Sequence, residues 1–362
     1  MKSFFTAINC LLVIFLHTGK AYAQEDPQTL TIFNWQYYLS EPVIDLWEQE
    51  TNVKIKQIYF DSDTDRDRII NQLQGNEVDI AVLDEVATRN FTRNNKLLDL
   101  TTTDSLTNLS YVPKIWKNQC SSNAVPYFWG TLGLIYRKDI YPIPPKTWRA
   151  LLYPQSYSKN MQQRNIGMLA DYSDMLMPSL FLRGLSIHES NKEDLTQVYA
   201  ELQQQIPFVR TYEYILTYLM HNPQEMANIH LALAYSGDTQ VLNHLGSHYQ
   251  WGYTVPEEGT VLWVDCLAVL KSSKKPQLAL SFINFLHRPN IAAINARELG
   301  NSTTNSKAIT LLEAEGDHSQ SLYPDMSIIQ RSQFYSTQDN ASMTLRSRIR
   351  NAIIKEHSSQ IE

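Results

Sequence analysis

Neither a Cys-x-x-Cys pair nor a Cys/His cluster occurs among the three cysteines and nine histidines, so the sequence offers no framework for a structural metal. The GxSxG, HExxH and phosphate-cradling glycine patterns are missing too, which removes the common signatures of hydrolases, zinc proteases and nucleotide-binding enzymes. No fixed-period repeat and no low-complexity linker is present, so neither a solenoid nor loosely tethered domains are expected. After the N-terminal segment, no stretch reaches the roughly 20 apolar residues that a membrane-spanning helix needs. A basic surplus is also absent: 31 Lys and Arg face 37 Asp and Glu, a net charge of −6. That balance disfavours nucleic acid and suits a cationic ligand, although mild acidity equally serves to keep a secreted protein soluble.

What is present begins with a leader. Lys2 supplies positive charge, Phe4 to Leu16 is mostly apolar, and Ala21-Tyr22-Ala23 forms a small-x-small cleavage site before Gln24. A cleaved signal peptide over residues 1–23 and a periplasmic destination are therefore expected. The alternative, an uncleaved anchor, is opposed by the short apolar run and by His17, Thr18 and Lys20. Cys10 lies inside the run, with no cysteine at the cleavage point, so a lipid anchor is not expected. Losing Lys2 and Lys20 makes the remainder still more acidic. Cys120 and Cys266 remain, and in an oxidising compartment they could form a bridge or stay as two buried thiols.

The 362 residues, 43% hydrophobic and 19% charged, can build two ordinary cores. Strand and helix patterns alternate from Leu30. Leu30 to Trp35 reads as a strand, and Ser40-Glu41-Pro42 opens a helix through Asn52, with serine as N-cap and proline in the first turn. Val53 to Phe60 reads as a strand, Thr64 to Gln74 as a helix ended by Gly75, and Val78 to Leu83 as a strand buried on both faces. This is βαβαβ winding, in which ligands bind beyond the carboxyl ends of the strands, here Asn34 to Tyr38 and Asp84 to Val86. After a long strand from Ala124 to Arg137 the alternation resumes: Asn165 to Leu169, helices Ser173 to Leu185 and Lys192 to Gln205, and Ile229 to Ser236. Thr260 to Leu270 reads as a further strand, followed by helices from Lys275 to His287 and Asn290 to Leu299. Two lobes joined by crossing strands are expected.

Aromatic and acidic residues recur together at the strand ends. They are Trp35 with Tyr38, Asp84 with Glu85, Asp171 with Asp174, Tyr235 with Asp238, and Trp263 with Asp265. A linear polyamine needs this mixture, because rings cover methylenes at about 0.8 kcal/mol per CH₂ and attract ammonium by roughly 0.5–2 kcal/mol. Carboxylates must then pair with the amines, since an unpaired buried charge costs several kcal/mol. Each residue also has a structural reading: Trp35 as core, Tyr38 as an edge residue, Asp171 and Asp174 as cap and first-turn dipole partner, and Asp238 as the cap of a helix from Thr239 to Leu245. Asp265 is the sharpest signal, because it interrupts an otherwise apolar strand and so requires a partner. An enzyme using Asp171 and Asp174 as an acid/base pair is disfavoured, because paired catalytic carboxylates usually come from separate elements. A ferric site at Tyr37-Tyr38 is disfavoured because adjacent strand residues point to opposite sides.

Taken in order, Phe33-Asn34-Trp35, Val78-Asp79-Ile80, Val125-Pro126-Tyr127-Phe128-Trp129-Gly130, Thr147-Trp148, Trp263-Val264-Asp265, Phe282 to Leu286, Arg288-Pro289 and Leu322-Tyr323-Pro324-Asp325 resemble the spermidine/putrescine-binding periplasmic proteins. The resemblance implies an α/β, two-lobed type II binding-protein fold with the ligand cleft between the lobes. The division it suggests is residues 24–134 plus 264–309 for one lobe and 135–263 plus 310–362 for the other. It implies Trp35, Tyr38, Tyr235 and Trp263 as aromatic walls, Asp171, Asp174 and Asp265 as amine-binding carboxylates, and Asp238 as an acid shared with putrescine-type members. Departures are also visible. Asp84 and Val86 stand where spermidine-type members have serine and tyrosine, Asn301 replaces a cleft tyrosine, and Tyr335 replaces a glutamine. An added carboxylate predicts a preference for a triamine such as spermidine or norspermidine. The expected protein is a monomer without cofactor or metal that serves an inner-membrane ABC permease. The alternative is a sensor that presents its ligand state to a membrane receptor such as a cyclic-di-GMP enzyme.

Overall fold

The computed structural model of the chain describes residues 28–360 apart from 61, 74–76, 102, 157–163, 246–247, 317–321 and 337. The expected leader and the helix stop at Gly75 lie outside these residues. Among the described residues eleven strands are formed: β1 Thr29–Asn34, β2 Lys54–Tyr59, β3 Ile80–Asp84, β4 Ala124–Arg137, β5 Ile166–Gly167, β6 Val209–Thr211, β7 Leu231–Tyr235, β8 Trp251–Thr254, β9 Val261–Val269, β10 Ser302–Thr303 and β11 Gln333–Phe334. Their main path runs β2-β1-β3-β9-β4-β7-β5-β6. β1 pairs in parallel with both β2 and β3, which is the βαβαβ winding read from the sequence. The helices Glu41–Thr51 and Asp63–Gln72 make its two crossovers.

The apolar run of β3 is buried because β1 flanks it on one side and antiparallel β9 on the other. Asp79, the acid that interrupts the run from Val78 to Leu83, is fully buried and satisfied: it accepts from the Thr31 amide at 2.9 Å and the Ser273 hydroxyl at 2.6 Å. Ser40 takes the N-cap position of helix Glu41–Thr51, yet its hydroxyl caps nothing; its own amide donates to Asn295 Oδ1 at 3.0 Å. Tertiary contact replaces the local cap at this helix end.

β4 explains how the two halves join. All 14 of its residues are buried; its first half pairs with β9 as far as Thr131↔Leu262, and from Leu132↔Tyr235 onward it pairs with β7. Side chains divide at the same point. One core contains Phe33, Ile80, Trp129, Leu262 and Phe282, and another contains Leu132, Trp148, Leu180, Leu233 and Val261. A smaller cluster about Ile135, Ile215 and Trp251 extends the second half. We take these as the cores of the two lobes. Leu312, Leu322 and Tyr323 pack in the first core, whereas Ile349 and Ile353, on the helix Asn340–Ser359, pack in the second. The return crossing is β11, which lies parallel to β9 at Val261 and Leu262.

Cys120 and Cys266 are bonded, with Cα atoms 5.9 Å apart. The bridge ties the segment before β4 to the residue next to Asp265, the acid that the sequence singled out.

Candidate functional site

Three aspartates that the sequence scatters over nearly a hundred residues are held alike. Asp265 lies in β9 and accepts the hydroxyl of Tyr38, which follows β1. Asp174, in the first turn of helix Tyr172–Leu182, accepts from Tyr235 Oη at 2.9 Å and also from Tyr335. Asp238 opens helix Asp238–His244; it accepts from Tyr214 Oη at 2.5 Å and from the Tyr235 amide at 2.9 Å. Asp238 is thus not the expected cap of that helix, whose N-cap is Gly237. Its carboxyl instead ties together Tyr214 and the end of β7.

All three carboxyls are buried, and burial pushes each up to about 7. Among the described residues no Lys or Arg forms an ion pair with Asp174, Asp238 or Asp265, and Arg66, which acts on Asp265, is itself bound to Asp84. The attached tyrosines are held neutral: burial and the neighbouring carboxylates keep the hydroxyls of Tyr38, Tyr214, Tyr235 and Tyr335 well above their ordinary range. A tyrosine that stays protonated can donate to an ionised carboxylate while leaving its other lone pairs open. The arrangement therefore presents acceptors.

Rings line the space between these acids. Tyr235 stands edge-on to Trp263 with centroids 6.4 Å apart, and Tyr214 edge-on to Tyr235 at 5.9 Å. Tyr38 meets Phe128 edge-on at 5.3 Å, and Tyr214 of the other half is among the groups that raise its hydroxyl. Trp35 is half-buried and packs edge-on against Phe60 at 4.4 Å. The Trp263 indole lies across Gly130, where a Cβ would fall 2.3 Å from its Cζ2. Tyr37 is 76% exposed, and it lies with Tyr38 in the turn after β1, which ends at Asn34, so strand alternation does not set their directions.

Two expectations need adjustment. Asp84 is not a free carboxylate. It caps the helix Glu85–Arg93, accepting the Val86 and Ala87 amides at 2.8 and 2.7 Å, and its second oxygen holds Arg66 Nη2 at 2.7 Å. Val86 contributes its backbone to that cap. Asp171 is an exposed N-cap accepting the Ser173 amide at 2.7 Å, which is its structural reading, so Asp174 is the buried member of that pair. Asn301 is half-buried and sits against Gly237, next to Asp238. Residues that the strand-end rule missed are Tyr214 and Arg66, and Tyr335 was flagged only as a replacement. Tyr214 precedes a helix and Tyr335 follows β11, and neither position carries a signal by itself. Glu85 was paired with Asp84 at the end of β3 but not carried into the site. It is buried, and burial first, then Asp84, pushes it up to about 8.

Comparison with known proteins gives the family. Residues 43–318 match the bacterial extracellular solute-binding protein family. The chain belongs to that family. Among its relatives is a norspermidine sensor of Vibrio cholerae, 34% identical over 294 residues that cover 81% of this chain and 80% of the relative. The spermidine/putrescine-binding periplasmic protein of Escherichia coli is 23% identical over 88% of this chain and 89% of its own. In fold, the chain is similar to the spermidine/putrescine ABC transporter substrate-binding protein of Streptococcus pneumoniae, with a TM-score of 0.78 over 91% of this chain and 99% of that one, at 24% identity. As a solute-binding protein the chain has the α/β, two-lobed fold of periplasmic binding proteins. No helix among the described residues is long and apolar enough to cross a membrane.

Proposed function

We propose that this solute-binding protein captures a linear polyamine in the periplasm and prefers a triamine. The observation that supports this is the set of three buried aspartates, Asp174, Asp238 and Asp265, each held by a tyrosine hydroxyl and none by a close cation. Three ammonium groups would match three open carboxylates, and the methylenes between them would lie on Trp263, Tyr235, Tyr38 and Trp35. A diamine would leave one buried carboxylate unpaired, at a cost of several kcal/mol or the uptake of a proton. The triamine preference thus rests on these three acids and no longer on Asp84, which Arg66 neutralises.

Calorimetry of ligand-stripped protein against putrescine, spermidine and norspermidine tests the reading. A triamine should bind at least about tenfold tighter than putrescine, roughly 1.4 kcal/mol. Equal or tighter putrescine binding would refute the charge count, and failure of all three to bind would refute the polyamine reading itself.

Delivery to an inner-membrane ABC permease is the ordinary role of such a protein. A second reading, presentation of the ligand state to a membrane receptor, is favoured by the 34% identity to the norspermidine sensor against 23% to the periplasmic spermidine/putrescine-binding protein. Uptake of labelled triamine by cells with and without the gene separates the two, since only a transport role predicts lost uptake.

A further inference from the structure

Arg66 is a buried cation beside the carboxylate site, and it is built in like a ligand. Only 1% of its side chain is exposed. Its guanidinium holds Asp63 at 2.6 Å, Asp84 at 2.7 Å and Asp67 at 2.8 Å, and it lies over the Phe60 ring with Cζ 5.7 Å from the centroid. Phe60 in turn packs against Trp35. A cation on an aromatic face, surrounded by carboxylates, is the environment that the rest of the cleft offers to an ammonium group. Its place in the row is set by register, because Asp84 on β3 is directly opposite Asp265 on β9. Paired residues on adjacent antiparallel strands lie about 4.5–5.5 Å apart at Cα, so Arg66 occupies the carboxylate station next to Asp265.

We infer that Arg66 acts as a resident cation that fills a fourth ammonium station of the cleft and thereby excludes polyamines longer than a triamine. The inference rests on the polyamine reading above and adds a residue that sets chain length. A ligand extended past Asp265 would bring an ammonium against the guanidinium, where like charge repels and Asp84 is already satisfied. Burial works against the Arg66 charge, but Asp84, Asp63 and Asp67 more than offset it, so the cation is permanent at any physiological pH. A lysine here would hold its charge less rigidly than a planar guanidinium shared among several acids.

The test is calorimetry of the full protein with spermine, a tetraamine, and spermidine. Arg66→Met removes the charge at similar length, and Arg66→Gln keeps a hydrogen-bond donor for Asp84, so a misfolded methionine variant does not decide the matter. In a folded variant the ratio of spermine to spermidine affinity should rise at least tenfold over wild type. Adding Asp84→Asn to the variant should bring the ratio back towards wild type, because the counter-charge for the fourth ammonium is gone. A ratio within threefold of wild type in a folded single variant overturns the inference, since a purely structural Arg66 would weaken both ligands alike. Absence of any polyamine binding by the wild type would instead count against the proposed function.

Discussion

Replacing Asp265 by asparagine tests the centre of this site and makes two opposite demands on one protein. The side chain is 9% exposed, accepts the Tyr38 hydroxyl and has no close basic partner. Its carboxyl is pushed up to about 7 by burial, so in the free protein at pH 7 it is about half ionised and needs only about 0.4 kcal/mol to ionise fully when a cation arrives. Breaking a buried charge pair from one side costs about 3–5 kcal/mol. Asp265→Asn should therefore weaken triamine binding by roughly a hundredfold or more, as read by calorimetry at pH 7.5. Stability should move the other way. The amide still accepts from Tyr38 through its oxygen, and it carries no charge to desolvate, so the free variant should unfold at a temperature equal to or above that of wild type at pH 8. Affinity within threefold of wild type in a folded variant would refute the assignment of Asp265. A variant that unfolds several degrees lower at pH 8 would refute the claim that burial strains this carboxyl.

The pH dependence follows from the same groups. Asp174, Asp238 and Asp265 are raised from 3.8 to about 7, so folding takes up protons, and each carboxyl contributes stability at low pH that is lost as pH rises from about 4 through 7. The limit is about 4 kcal/mol per group, and the ligand-free protein should melt at a lower temperature at pH 8 than at pH 5.5; a flat profile would contradict the raised values. Triamine affinity should increase between pH 6 and 8, with proton release seen as a binding enthalpy that varies with the buffer, and a pH-independent affinity would speak against ionisation on binding. Gly130→Ala places a Cβ 2.3 Å from the Trp263 indole and 2.7 Å from Ser236 Oγ, so it should displace the ring and weaken binding at least about tenfold. Its tryptophan emission should also differ from wild type before ligand is added, and unchanged emission with unchanged affinity would remove Trp263 from the wall.

Much of this protein could be read along the chain. Sequence patterns placed β1, β2, β3, β4, β7 and β9 and helices such as Glu41–Thr51, Asp63–Gln72 and Lys192–Gln205, because local burial patterns are set by which face an element turns inward. Asp265 was legible for the same reason: a carboxylate inside an apolar strand cannot be left without a partner. Tertiary structure alone decided what those partners are. Tyr214 and Tyr335 reach Asp238 and Asp174 from positions 24 and 161 residues away, and nothing in the spacing of such pairs marks them. Asp84 shows the limit most clearly. Read along the chain it is one more acid at a strand end, but the fold brings a helix N-terminus and Arg66 onto its two oxygens and so takes its charge out of the cleft. Residue type sets which charges a sequence carries, whereas which of them remain open to a ligand depends on neighbours that only the closed fold supplies.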